Sequence, residues 1–343
     1  TTLNLPALTN VAGSVNVQGD PSLSAVEISG ITDIGGNFTL IGTAATIINV
    51  GALHQVAGSV TIDDNQDATA IDAGSLTSAG SVDISNNIAA TTIDVGGLTT
   101  VVGSVDITGD SSVTSVAVGS LTSAGSVNIA DDSAATVINV GSLTSTSGSV
   151  DIIDNASATT IDVSSLAGAG SVDISGNSSV TAINVGSLTS TTGAVTISDD
   201  TAATSVALTT LGSAGSVTIT GDTDAATIDA GALTTVTGDV TIDGNGGATV
   251  NVGSLTNVAG DGASVITGTG TFAAGNNTQV AGSTTMNSSP PKRAQASPWR
   301  RCSRTRAANA RSASSPAPWP RLSLTCLKWS MSSMSTENGR PWR

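Results

Sequence analysis

Residues 1–291 contain no Cys, Trp, Tyr, Lys or Arg. Without Cys no disulfide can hold this part of the chain, so its redox compartment is left open. Without Lys or Arg there is nothing to grip phosphate, which excludes nucleic acid and anionic membrane surfaces as partners. Without Trp, Tyr or Arg the usual anchors of protein-binding hot spots are missing, as are the flat rings on which sugars stack. No apolar run approaches the roughly 18 residues of a membrane span. Catalysis is short of parts as well. The only Glu before position 292 is Glu27 and the only His is His54. The adjacent carboxylates Asp131-Asp132 and Asp199-Asp200 have no basic group to work with, so a polysaccharide lyase or hydrolase is disfavoured and a non-enzymatic protein is expected.

Charge is abundant but of one sign. Twenty-five acidic and no basic residues precede Lys292, a formal −25; the 11 basic residues that follow, less Glu337, give +10, and together these make the −15 of the chain. The carboxylates of the first part therefore stay solvated or hold cations, and solvation is the simpler reading.

What fills residues 13–259 is a repeat. Units begin at Gly13, Gly36, Gly58, Gly80, Gly103, Gly125, Gly148, Gly170, Gly193, Gly215 and Gly238, mostly as Gly-Ser-Val, and from Gly58 onward the spacing alternates 22 and 23 residues. Each unit carries two short alternating runs, for example Val82-x-Ile84 and Ile93-x-Val95, with Leu98 after a Gly-Gly bend. Period-2 patterning of β-branched and small polar residues predicts strands. Neither strand can bury an apolar face alone, so the units must stack, coil on coil, at about 4.8 Å. The predicted fold is all-β: a right-handed parallel β-helix of about eleven coils, some 50 Å long by that spacing.

Two polar columns accompany the strands. Seven residues past the anchoring glycine stand Asn65, Asn87, Asp110, Asp132, Asn155, Asn177, Asp200, Asp222 and Asn245. Short amides and carboxylates satisfy local backbone N–H groups at tight turns and tolerate left-handed backbone, so these residues are expected to form a structural turn ladder, buried or half-buried, and not a row of metal ligands. A second column, Thr69, Thr91, Thr114, Thr136, Thr159, Thr181, Thr204 and Thr249, shares by parity the inward side of the following Ile or Val and is expected to close a hydroxyl ladder at a corner.

Read as apolar-x-x-apolar-x-apolar-x-x-Asn, Ala79-Gly-Ser-Val82-Asp-Ile84-Ser-Asn-Asn87 matches the leucine-rich-repeat core pattern. With the later Thr-x-Ile-Asp-Val-Gly-Ser-Leu segment, the repeats of about Leu3–Gly260 resemble those of receptor L-domains and of fungal cell-surface proteins of the Ecm33/Sps2 type. The resemblance implies a secreted or cell-surface protein working in adhesion, ligand binding or wall organisation. The chain departs from that pattern in having Val for Leu in the first strand, more regular repeats, and no flanking cysteine-rich module.

Function would have to live on the outward positions. In the first strand these are Asp83, Asp106, Asn128, Asp151 and Asp173, preceded by Thr61 and continuing as Thr196, Thr218 and Thr241; the second strand exposes Asp72, Asp94, Ala117, Asn139, Asp162, Asn184, Ala207 and Asp229. The first five are the candidate ligand-binding row, acidic and free of aromatics, suited to weak multivalent contact with a cell-surface glycan or protein, or to scaffolding alone. No cofactor is required. Alternatives are a Ca²⁺-binding surface repeat, although the Gly-rich nonapeptide of calcium β-rolls is absent, and an ice-binding face, whose threonine row the aspartates interrupt. Open coil ends also allow self-association.

The ends are irregular. Leu3, Leu5 and Leu8 keep the spacing of Ile93, Val95 and Leu98, so 1–12 reads as part of a coil. Residues 260–272 read as a degenerate last coil, 273–289 as a Gly/Ser/Thr/Asn-rich linker, and 290–343 as a basic disordered tail. The abrupt change of usage at Pro290 favours an out-of-frame translation over a basic arm that docks on the acidic rod.

Overall fold

The computed structural model describes residues 1–260 and 264–272, together with the short strands Thr278–Ala281 and Thr284–Met286. Among the described residues there is no helix and every strand pairing is parallel, in a β-solenoid of about twelve turns. The basic tail at 290–343 lies outside the described residues. Of the segment read as a linker, the described residues Thr278–Ala281 and Thr284–Met286 form strands that pair in parallel with Ser264–Thr267 and Thr269–Phe272, and the rest lies outside the described residues.

The coil beginning at Gly103 shows the plan. Its first strand is Ser104–Thr108, its second Ser115–Ala117, and a third of two residues, Ser123–Ala124, follows the leucine bend. The third strand was not evident from the two alternating runs, because two residues carry no period. Register is kept from coil to coil: Val105 pairs with Val127 and Ile107 with Ile129, while Val116 pairs with Ile138. At the other end of the stack Leu3 pairs with Val26, as its spacing predicted.

Like therefore stacks on like. Val82, Val105, Val127 and Val150 form one buried column, Ile84, Ile107, Ile129 and Ile152 a second, and Leu98, Leu121, Leu143 and Leu166 a third. Each such side chain contributes about 1.5–3 kcal/mol by leaving water, and the columns merge into one continuous core. A fourth column of small residues, Ala90, Val113, Ala135 and Ala158, lines the corner between the first two strands.

The alternation of 22 and 23 residues is absorbed outside the core. Val102, Ser147, Thr192 and Thr237 each stand immediately before an anchoring glycine and are exposed, so the extra residue bulges into solvent and the buried columns keep step. The glycines themselves are fixed by proximity. Gly103 N–H donates to Gly80 O at 2.6 Å and Gly125 N–H to Gly103 O at 2.7 Å, and the same contact runs along the stack. A Cβ on Gly125 would stand 2.7 Å from Gly103 O and 2.8 Å from Val102 O, so no side chain fits there.

Candidate functional site

The Asn/Asp column is fully buried; Asn65, Asn87, Asp110, Asp132, Asn155, Asn177, Asp200 and Asp222 are 0% exposed and Asn245 is 4% exposed. Asn65 and Asn177 donate locally, to Asp63 O at 3.1 Å and Ser175 O at 3.2 Å, but the side-chain oxygens do not accept the local N–H groups expected of a turn residue. Each side-chain Oδ1 accepts the backbone N–H of the residue at the same place one coil earlier. Asn87 N–H donates to Asp110 at 2.7 Å, Asp110 N–H to Asp132 at 2.9 Å, Asp132 N–H to Asn155 at 3.1 Å, and Asp222 N–H to Asn245 at 3.1 Å. Thr43 begins the series by donating both its N–H and its hydroxyl to Asn65.

In the asparagine rungs Nδ2 also donates to a strand carbonyl of the previous coil: Asn87 to Ile62 O at 3.0 Å, Asn155 to Ile129 O at 2.9 Å, and Asn245 to Ile219 O at 2.8 Å. The aspartate rungs have no such donor. Oδ2 of Asp110, Asp132, Asp200 and Asp222 is buried with no hydrogen-bond partner. Burial pushes these carboxyls up, Asp110 and Asp222 to about 7 and Asp132 and Asp200 to about 8. The N–H groups they accept pull the other way without overcoming it.

Left-handed backbone belongs to the residue before the ladder, not to the ladder itself. Asp64, Asn86, Asp131, Asp154 and Asp199 have φ between 53 and 60°, and Gly42, Gly109, Gly176, Gly221 and Gly244 take the same place in the other coils. Only Gly, Asn and Asp adopt that region readily. Changing Gly109 to Ala is therefore expected to cost about 1 kcal/mol, whereas Asp131→Gly should stay within about 0.5 kcal/mol of the parent in urea denaturation.

The threonine column is exposed, contrary to the parity expectation. Alternation defines sides only within a strand, and Thr91 precedes the strand Thr92–Asp94, beyond a turn; Thr249 lies within Thr249–Val252 but alternates with the buried Val250 and so faces out. Its hydroxyl ladder nonetheless exists: Thr91 donates to Thr69 O at 3.2 Å, Thr114 to Thr91 O at 3.3 Å and Thr136 to Thr114 O at 3.1 Å. A second such ladder lies outside the columns expected from the sequence: Thr99 donates to Thr77 O at 2.9 Å and Thr122 to Thr99 O at 3.0 Å. Its signal, a threonine after most of the column leucines, was present in the sequence.

Outward residues of the first strand form the expected row. Asp83 pairs with Asp106, Asp106 with Asn128, Asn128 with Asp151 and Asp151 with Asp173, all half-buried by their neighbours. Serine hydroxyls hold several of them: Ser85 donates to Asp83 at 2.8 Å, Ser104 to Asp106 at 2.6 Å, and Ser149 to Asp151 at 2.6 Å. Burial raises the carboxyls of Asp83 and Asp173; the hydroxyls of Ser85 and Ser175 oppose this, while Asp63 and Asp106 beside Asp83, and Asp151 beside Asp173, add to it.

The second-strand row is partly occupied in its own turns. Asp72, Asp94 and Asp229 accept the N–H two residues on, from Gly74, Gly96 and Gly231 at 2.9, 2.8 and 3.0 Å. The adjacent pairs do not form carboxylate dyads. Asp131 and Asp199 are exposed while Asp132 and Asp200 are in the core. Among the described residues no group of three or more His, Cys, Asp or Glu is placed to hold a metal, and His54 Nδ1 lies 2.8 Å from Ala52 O. Comparison of the chain with protein-family models, curated proteins and solved structures gives no match.

Proposed function

We propose that this chain is a secreted or cell-surface structural and adhesive solenoid that presents repetitive acidic and hydroxylic faces and performs no catalysis. The observation that carries the reading is the register of Asp83, Asp106, Asn128, Asp151 and Asp173, which repeats one polar position on consecutive coils. A partner that is itself repetitive, such as a cell-surface glycan or a protein with spaced basic or hydroxyl groups, would meet several weak contacts at once. Multivalency then supplies affinity that no single aspartate could. The resemblance of the repeat to receptor L-domains supports the same reading.

The test uses the purified chain on glycan arrays and intact cells, beside a variant carrying D83N, D106N, D151N and D173N. Binding that is multivalent, weakened by salt and lost in the variant is the expected result. Equal binding by both proteins would remove the row from any role, and absence of binding to every surface would leave only a spacer. Millimolar Ca²⁺ is included in one arm, because a thermal shift abolished by the same substitutions would instead assign the row to cation binding.

A further inference from the structure

We propose that the four buried aspartates of the ladder, Asp110, Asp132, Asp200 and Asp222, are neutral carboxylic acids in the folded protein, each donating a hydrogen bond as asparagine does, and that they make the solenoid firmer in acid than in alkali. The ladder reads Asn-Asn-Asp-Asp-Asn-Asn-Asp-Asp-Asn from Asn65 to Asn245, so the aspartates occur as two stacked pairs. In five rungs the outer atom of the side chain is an amide nitrogen that donates to a carbonyl 25 or 26 residues back, at 2.8 to 3.1 Å. In the other four it is an oxygen without a partner.

Repeat symmetry puts the carbonyls of Ile84, Ile107, Ile174 and Ile197 opposite those oxygens. Two bare oxygens facing each other repel, and a buried polar group left unpaired is costly. A proton on Oδ2 removes both problems at once. It turns the carboxylate into a close copy of the asparagine amide, with Oδ1 still accepting the N–H of the preceding rung and Oδ2–H donating to the strand carbonyl.

Every charged neighbour acts in the same direction. Asp110 faces Asp132, Asp83 and Asp63; Asp132 faces Asp110 and Asp131; Asp200 faces Asp222 and Asp173; Asp222 faces Asp200 and Asp199. No basic residue precedes Lys292 to offer a counter-charge. A bound cation would need five or more oxygens around it, whereas the site repeats the close spacing that an amide fills in the other rungs.

The sign of the pH effect follows. Burial raises these groups from 3.8 to about 7 or 8, so the folded chain holds protons that the unfolded chain has released. Their contribution is complete below the unfolded value and is lost as pH rises through the folded one. Within each pair the first proton lost hinders the loss of the second, which spreads the transition.

The experiment compares the full chain with a variant carrying D110N, D132N, D200N and D222N, a residue the ladder already accepts in five rungs. Urea midpoints are measured at intervals from pH 4.5 to 9, and infrared spectra record the protonated-carboxyl band at pH 6. The parent should show a midpoint that falls steadily with pH and a carboxyl band that the variant lacks; the variant should show a much shallower slope and a higher midpoint at pH 8. A D83N/D173N control measures the share of the slope owed to the outward row. A parent without the band at pH 6, or a variant with the parent's slope, overturns the proposal. So does a parent midpoint that responds to Ca²⁺ or chelator where the variant's does not, since that would put a cation where the proton is assigned.

Discussion

Replacing Asn155 with Ala is expected to lower stability by about 3 kcal/mol or more, one of the largest losses available from a single polar side chain in this protein. Three bonds go at once. Asp132 N–H loses its acceptor at 3.1 Å, Ile129 O loses its donor at 2.9 Å, and Asn177 Oδ1 loses the side-chain donor at 3.3 Å. The site is fully buried, so water cannot replace them without opening the coil. An orphaned buried N–H alone costs about 1–3 kcal/mol, and the vacated volume adds to that. Because each coil is held by its neighbours, the damage should appear as loss of cooperativity around the coils beginning at Gly125 and Gly148. Urea denaturation followed by circular dichroism, with hydrogen exchange to locate the opened coils, measures it. Asn155→Leu, which fills the space but restores no acceptor, should recover little. A loss under about 1 kcal/mol would mean that the ladder is ornamental to stability.

Gly125→Val should be comparably damaging, by about 3 kcal/mol, for a reason unrelated to polarity. The added Cβ meets two backbone carbonyl oxygens, at 2.7 and 2.8 Å, and neither can swing aside as a side-chain end would. The coils must part locally, which strains the hydrogen bond from Gly125 N–H to Gly103 O and pulls apart the valine and isoleucine columns beside it. Gly168 provides the contrast within the same fold. A Cβ there meets nothing within 4 Å, and its partners in the third strand, Ser145 and Ser190, are already serines. Gly168→Ser is therefore expected to be neutral or to gain a few tenths of a kcal/mol from reduced freedom of the unfolded chain. Thermal melts of the two variants distinguish a spacing requirement from a general preference for glycine. Equal melts would show that coil separation adjusts without cost.

Much of the fold was legible in advance, and particular residues show why. Val105, Ile107, Val127 and Ile129 alternate with polar residues inside strands, so their side and their stacking partners both follow from the period. The ladder was visible as a column, but its bonding was not. The acceptor for Asp132 N–H lies 23 residues away, and nothing near Asp132 in the sequence reports that distance. The left-handed position falls one residue before the ladder column, in the run Gly42, Asp64, Asn86, Gly109 and Asp131, which mixes the three residue types that tolerate it. Thr91 and Thr114 face outward because alternation does not carry across the corner that precedes their strands.

The sequence by itself determined the period, the strands, and the stacking of like on like. These follow from local chemistry repeated in step, since β-branched residues at every second position can be buried only by a neighbour that repeats them. Only the tertiary structure decided the fate of adjacent, chemically identical groups. Asp131 is exposed in the left-handed turn, while Asp132, its neighbour in the chain, is buried under the next coil with an oxygen that no donor reaches. Which of two adjacent aspartates stays in water and which is buried without a donor is set by what lies above and below it, and that is a property of the stack, not of the residue.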